Sequence, residues 1–260
     1  MLCGRAEPYT RAAVEAGASL IGLRVTTYDP AEVVALGELA QAGERLSTLH
    51  FGLVAVGLAE GETARLASRA RVPVLNGGDP DGDPIAAVAD LQVLQSRLGA
   101  LQGRRLTWVG DAGGLLYDLL CAGAAHGLSV SVAHPVGFAP DAERVTWARD
   151  YAAETGAAIH VTHELGEAIT DASVVYVDRW PEEHAERFRP YAVQRHTLRD
   201  ARVGALVLHR SPERIGPELS ASYAEEVAAV AVEQARARAD AAAALLLAML
   251  RPDPLCSVRG

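Results

Sequence analysis

Apolar and polar positions along this chain keep alternating between two rhythms. Short runs that are apolar at nearly every position give way to longer stretches with apolar residues every three or four, the signatures of buried strands and amphipathic helices. Ser19–Val25 reads as a strand, followed by a helix-forming run from Pro30 to Ala42. Leu49–Val56 reads as a second strand, Gly61–Ala70 as a helix and Val72–Leu75 as a third strand that ends at Asn76-Gly77-Gly78. From about Pro84 to Leu98 the residues Ile85, Val88, Leu91, Leu94 and Leu98 share one helical face.

The pattern then restarts. Strands are expected at Arg105–Val109, Leu128–Ala133, Ala158–Val161, Ser173–Val177 and Ala205–Leu208, with helices at Leu115–His126, Asp141–Thr155 and Leu165–Asp171 between them. Repeated strand–helix units imply parallel sheets covered by helices on both faces. The restart at Arg105 fits two sheets joined near Gly99–Arg104 better than one sheet of eight or nine strands. Ser222 and Glu225 have the spacing of a capping box, and the stretch from Glu225 to Leu250 has neither Pro nor Gly, so the tail reads as one long helix. Its last turns are apolar almost all round, which calls for burial between lobes or against another chain, or for an ordinary core helix.

Composition narrows the chemistry. Of 260 residues, 33 are acidic and 24 basic, a net charge of −9, which disfavours nucleic acid as the main partner. Every basic residue is Arg; with no Lys, the chain can form neither an internal Schiff base to pyridoxal phosphate nor a P-loop contact to nucleotide phosphate. Cys3, Cys121 and Cys256 are too widely spaced for a C-x-x-C metal or redox pair or a disulfide framework. The N-terminus lacks a signal-like apolar run, and Ala241–Leu250 is shorter than the ~20 residues that cross a bilayer, so a cytoplasmic protein with no membrane partner is expected.

Three local motifs sit where parallel sheets place ligands. Gly110-Asp111-Ala112-Gly113-Gly114 follows a strand and opens a helix, but Ala112 stands where a dinucleotide fingerprint needs its second Gly, and the next strand ends in His134-Pro135. A tight turn is the alternative. Asp79, Asp81 and Asp83 crowd one loop; they can hold a divalent cation, or serve as turn and helix-cap residues. His209-Arg210-Ser211-Pro212-Glu213-Arg214 lies past the last strand, where Arg can clamp a carboxylate or form surface ion pairs. His160 and His163, split by Val161, are poorly placed for zinc. No metal or cofactor is expected.

In this order the strand-end segments resemble the aspartate/ornithine carbamoyltransferase family over nearly the whole chain. Val72-Pro73-Val74-Leu75-Asn76 with Ala89-Asp90-Leu91-Gln92 is similar to the family's V-P-V-(I/L)-N and (L/A)-D-L run. Leu101-Gln102-Gly103 through Val109-Gly110-Asp111 is similar to its strand into the second lobe, and Ala172–Trp180 to A-D-V-V-Y-T-D-V-W. Leu208-His209 with Pro212 resembles L-H-x-L-P, and Gln234, Ala235 and Arg238 its Q-A-x-x-R final helix. The resemblance implies two Rossmann-like lobes: residues 1–100 as the carbamoyl-phosphate-type lobe, 101–225 as the amino-acid-type lobe, and 226–260 as a helix returning to the first. It also implies a homotrimer. Relative to the family, the helices that precede the phosphate loop are expected to be missing.

The same resemblance fades where the family does chemistry. Its S-T-R-T-R phosphate loop meets Tyr9-Thr10-Arg11-Ala12-Ala13; a register shifted by two keeps Glu15-Ala16-Gly17 in line but sets Glu7 and Tyr9 at the first Ser and Arg. Its H-P-x-Q segment meets Asp83-Pro84-Ile85-Ala86, its Arg after the second strand meets Gly57, and its Asn pair meets Gly113-Gly114. The D-x-x-x-S-M-G loop keeps only Asp178, and the Cys of H-C-L-P becomes Arg210. At ~1.5–3 kcal/mol for each charge-assisted bond, such losses remove of order 7–12 kcal/mol of substrate binding, a rate loss of at least roughly 10⁵. Two expectations follow. One is a diverged enzyme that takes an amino-acid-like small molecule in the interlobe cleft, with Asp83, His209 and Arg210 as catalytic candidates and Tyr9, Thr10, Arg11 and Asp178 as ligand-binding ones. The other is a non-catalytic homologue that binds a partner chain or regulatory ligand. In either case Glu7, Asp79, Asp81 and Asp83, if ionised, should repel dianions and favour neutral or cationic groups.

Overall fold

The computed structural model describes the backbone of residues 2–3 and 8–251 and the side chains of residues 9–251. Glu7 and Cys256 lie outside the described residues. The chain divides into two compact units, one made by residues 1–90 and 235–260, the other by residues 91–234.

The first unit carries β1 (Leu2–Cys3), α1 (Pro8–Leu20), β2 (Thr27–Tyr28), α2 (Pro30–Ala35), α3 (Leu39–Leu46), β3 (Leu53–Ala55), α4 (Glu62–Ala67), β4 (Val74–Asn76) and the first half of α5 (Pro84–Leu98). Its sheet has the order β2-β1-β3-β4, all parallel. Leu46, Leu53, Ala55 and Leu66 form its buried centre together with Val33 and Ala42.

Two expectations for this unit are corrected. Ser19–Val25 is not a strand: Ser19 and Leu20 are the last turn of α1, and Gly22 closes it in the left-handed region at φ 76°. The Gly22 N–H donates to the Ser19 carbonyl (3.1 Å) and the Leu23 N–H to the Ala18 carbonyl (2.9 Å), the paired bonds of a Schellman stop. Nor is Pro30–Ala42 one helix. Asp29 and Glu32 cap α2 reciprocally, but Gly37, at φ 104°, turns the chain before α3 begins. The second strand is also shorter than Leu49–Val56, with only Leu53–Ala55 in the ladder.

The second unit holds the rest of α5, then β5 (Arg105–Val109), α6 (Gly114–Ala125), β6 (Ser129–Ala133), α7 (Ala142–Thr155), β7 (Ile159–Thr162), α8 (Leu165–Ile169), β8 (Val174–Val177), α9 (Ala185–Phe188) and β9 (Leu206–His209). Its five strands run parallel in the order β7-β6-β5-β8-β9. Trp108 and Tyr176 are register partners on β5 and β8, and their rings stack with centroids 4.9 Å apart. The buried Thr107 hydroxyl donates to the Ala168 carbonyl, so the polar residue in this apolar strand has its partner.

The last helix, α10 (Ala224–Leu250), begins in the second unit and ends in the first. A 3₁₀ turn at Ala221–Tyr223 leads into it, and Ser220 rather than Ser222 supplies the side-chain acceptor there. Within the first unit α10 packs on α1: a Cβ at Gly17 would lie 2.5 Å from the Ala239 carbonyl oxygen, so only Gly allows that approach. No helix among the described residues is long and apolar enough to cross a membrane.

Candidate functional site

In open parallel sheets, ligands sit beyond the carboxyl ends of the strands, where the strand order reverses. In the second unit that reversal falls between β5 and β8. β5 delivers Gly110 and Asp111 to it, β8 delivers Asp178, and neighbouring β9 delivers His209 and Arg210.

The two chains of residues that leave β5 and β8 touch. Gly110 sits at φ 142°, and a Cβ there would lie 2.7 Å from the Asp178 carbonyl oxygen and 2.9 Å from its Cβ. Only glycine allows the two strand ends to approach this closely. Asp178 is buried; its Oδ1 accepts the Arg179 N–H (2.7 Å) and its Oδ2 the Arg210 Nη1 (3.2 Å). Burial pushes the Asp178 carboxyl above its ordinary range, with Arg210 foremost among the groups that pull it back.

Asp111 stands beside this pair. Its Oδ1 accepts the Ala112 N–H (2.9 Å), and its backbone carbonyl accepts the Trp108 indole N–H (3.0 Å). Burial raises its pKa; the Ala112 N–H and the Arg210 charge oppose that rise, while the charges of Asp178 and Glu183 reinforce it. The Arg210 guanidinium lies over the turn into α6, where a Cβ on Gly113 would come within 3.4 Å of Nη1. Roughly two-thirds of the Arg210 side chain is covered, the rest open to solvent (32 % exposed).

His209 has a different place. Its ring is fully buried, Nε2 lies 3.0 Å from Glu218 Oε1, and Nδ1 accepts the Ser211 N–H (3.0 Å). With Nδ1 an acceptor, the ring proton sits on Nε2 and is donated to Glu218. Glu218 also accepts the Gly216 N–H (2.7 Å). Burial raises the Glu218 carboxyl, but the His209 and backbone donors outweigh it and hold the pKa below the ordinary value. His209 therefore ties down the loop that carries Arg210, with both ring nitrogens turned inward.

The remaining candidates belong to the first unit. Tyr9, Thr10 and Arg11 occupy the first turn of α1; Tyr9 is exposed, and Arg11 Nε pairs with Glu15 Oε1 at 2.9 Å. Asp83 caps α5, its Oδ1 accepting the Ala86 N–H (3.2 Å). Asp79 is the buried hub of the acidic loop: Oδ1 accepts the Asn76 side-chain amide and the N–H groups of Asp81 and Gly82, and Oδ2 accepts the Thr63 hydroxyl. Asp81 in turn accepts the Gly61 N–H at 2.6 Å. These carboxylates organise their own loop. His160 and His163 diverge, the first to Glu167 Oε1 (3.2 Å), the second to the His134 carbonyl (3.0 Å). Among the described residues no group of three or more His, Cys, Asp or Glu is arranged to hold a metal ion.

Asp178 and Arg210 thus meet, with Asp111 close enough to feel both charges; the sequence analysis set Asp111 in the glycine-rich strand-end segment but not among the site residues. Position beyond the first strand of the second repeat was the signal available for Asp111. Glu218 was missed because nothing local marks a carboxylate nine residues after His209 as its partner.

Parallel sheets covered by helices, with polar residues gathered at a strand-order reversal, place the chain among the open α/β proteins. Residues 102–249 match the family described as "Aspartate/ornithine carbamoyltransferase, Asp/Orn binding domain". An ornithine carbamoyltransferase of Methanothermobacter thermautotrophicus is 32 % identical over 257 residues, covering 95 % of this chain and 85 % of that protein. One from Thermococcus kodakarensis is 30 % identical over 216 residues, 80 % of this chain and 69 % of its own. The solved ornithine carbamoyltransferase of Pyrococcus furiosus superposes with a TM-score of 0.89 at 26 % identity, over 97 % of this chain and 85 % of that one. The chain belongs to the aspartate/ornithine carbamoyltransferase family.

Proposed function

We propose that this chain is a diverged carbamoyltransferase-like protein that binds an amino-acid-like small molecule at the β5–β8–β9 crevice and no longer performs ordinary carbamoyl phosphate transfer. The observation that carries this reading is the Asp178–Arg210 pair with Asp111 beside it. A zwitterion fits such a set: its carboxylate meets the solvent-facing side of Arg210, and its ammonium meets the acid groups. Membership of a family whose matching domain is described by Asp/Orn binding supports the amino-acid class. Asp178 is the acid at the end of β8 that the family resemblance carries over, and here a resident guanidinium already neutralises it.

Loss of transfer is supported by the first unit. Asp83 stands where the family's H-P-x-Q segment begins, and it accepts a helix N–H instead of offering an imidazole donor. Arg11, one of the two retained residues of the phosphate loop, is paired to Glu15. In this reading Asp178 and Arg210 bind ligand, His209 positions Arg210, and Tyr9, Thr10, Arg11 and Asp83 form the altered donor side; residues 1–100 act as the former carbamoyl-phosphate lobe and residues 101–225 as the amino-acid lobe.

The test pairs activity with binding. Incubation with carbamoyl phosphate and ornithine or aspartate should give no carbamoylated product above the uncatalysed rate. A thermal-shift panel should show a rise of a few degrees with an amino acid, since ligand at 100 times its Kd adds ~2.7 kcal/mol. Product formation at an ordinary enzymatic rate would overturn the loss of transfer. A flat panel would overturn the amino-acid reading and favour a non-catalytic partner role.

A further inference from the structure

Beyond β6 and β7, two histidines and a tyrosine meet that have no role in the reading above. His134 directly follows β6 and is buried, its ring against that of His163, which directly follows β7; the centroids are 4.5 Å apart. His134 Nδ1 lies 2.9 Å from the Pro135 carbonyl, and His163 Nδ1 lies 3.0 Å from the His134 carbonyl. A carbonyl oxygen only accepts, so each ring carries a proton on Nδ1. The buried Tyr191 hydroxyl donates to the same His134 carbonyl (2.8 Å) and to the His163 carbonyl (2.7 Å). These three side chains tie the ends of β6 and β7 to the 3₁₀ turn Arg189–Tyr191.

The same segment is tied a second time. Phe138, four residues past His134, packs on Phe188 of α9 and on His184 just before that helix, each with ring centroids 4.9 Å apart. Arg187 Nη1 lies 3.4 Å from the Val136 carbonyl. Phe188 in turn stacks on Trp180, two residues beyond Asp178. The buried Trp180 Nε1 has no hydrogen-bond partner among the described residues, so packing rather than a polar bond holds that ring. Residues 180–191 therefore depend on the loop after β6 at both ends: through Phe138 and through the histidine carbonyls.

This arrangement resists a charge on His134. With Nδ1 committed to Pro135, an added proton goes to Nε2 and places a charge in a buried ring that already meets another histidine. Burial lowers the His134 pKa foremost and the His163 charge lowers it further, against the bond to the Pro135 carbonyl. The other titratable and charged groups around the contact are Glu164, whose charge reaches Tyr191, Arg187 at the Val136 carbonyl, and the exposed His184 on Phe138. A histidine whose folded pKa is lowered supports the closed form above its ordinary 6.5 and withdraws that support as pH falls below it. We propose that the contact of His134, His163 and Tyr191 is an acid-operated latch, which holds residues 180–191 while the buried ring is neutral and releases them when it takes up a proton.

Hydrogen-exchange mass spectrometry on the full chain reads the latch, at about pH 7.5 and about pH 5, with each rate divided by its intrinsic value. Protection of residues 182–192 should fall about tenfold or more at the lower pH, while that of residues 105–125 stays within about twofold. His134→Asn keeps an amide that can donate to the Pro135 carbonyl but cannot be charged, and should abolish the fall. His184→Asn removes the other imidazole that touches Phe138 and should leave the fall in place. Tyr191→Phe keeps both histidines but unties the hydroxyl, and should show the low protection already at about pH 7.5. It carries the test if His134→Asn does not fold, which circular dichroism checks. Equal protection of residues 182–192 at the two pH values in the wild type would overturn the proposal. So would a fall that persists in His134→Asn, disappears in His184→Asn or extends equally to residues 105–125, or full protection in Tyr191→Phe.

Discussion

Removing the Arg210 guanidinium should cost more than removing the carboxylate it holds. Asp178 is buried, and its Oδ2 lies 3.2 Å from Arg210 Nη1. At an effective dielectric of ~20 the gross attraction at such a distance is about 5 kcal/mol. The exposed third of Arg210 admits screening, and burying Asp178 carries its own desolvation cost, which together leave a net coupling of about 1.5–2.5 kcal/mol. Arg210→Ala strands a buried acid and should lower stability by about 2 kcal/mol. Asp178→Asn leaves a neutral side chain that still accepts the Arg179 N–H, and should cost under about 1 kcal/mol. The double variant should resemble Asp178→Asn alone, and urea unfolding of all four proteins closes the cycle. pH gives a second check. A carboxyl whose folded pKa is raised contributes stability that is present at low pH and lost as pH rises through the folded value; without Arg210 the Asp178 pKa rises further. The Arg210→Ala deficit should therefore shrink between pH 7 and about pH 4. A coupling below about 0.5 kcal/mol, or a deficit that grows on acidification, would refute the reasoning.

Three further outcomes are expected. Gly110→Ala forces a Cβ against Asp178 at φ 142°, and should destabilise by about 2–4 kcal/mol in thermal melts. Asp79→Ala strands the donors from Thr63, Asn76, Asp81 and Gly82 at a cost of about 2–4 kcal/mol, whereas Asp83→Ala loses one helix cap at about 1 kcal/mol; chemical denaturation distinguishes them. Glu218, held below its ordinary 4.5, contributes stability that is present above that value and lost as pH falls through the lowered one. Glu218→Gln should therefore cost about 1–2 kcal/mol at neutral pH and flatten the acid limb of the stability profile.

The repeating strand–helix pattern was legible wherever local and tertiary preferences agree. α5 and β5 fall where periodicity sets them, and α7 begins at the Asp141 cap that marks it in the sequence. Ser19–Val25 misled because its apolar residues serve a helix end and a Schellman turn whose stop is the single Gly22. β1, two residues long, has no periodicity to read; it is a strand because β2 and β3 flank it. At the site, Asp178 and Arg210 were readable as strand-end polar residues. The close approach of the two strand ends at Asp178 depends on Gly110, and the inward turn of His209 depends on Glu218; both are tertiary facts.

The most direct test of the proposed ligand class is calorimetric titration of the wild-type chain and Arg210→Ala with ornithine, aspartate and carbamoyl phosphate in turn. An amino acid should bind the wild type, and binding should weaken about 10–100-fold in Arg210→Ala, the loss of one charge-assisted bond of ~1.5–3 kcal/mol. Carbamoyl phosphate should release no binding heat from either protein. Tight carbamoyl phosphate binding with none of the amino acids, or amino-acid affinity indifferent to Arg210, would contradict the account.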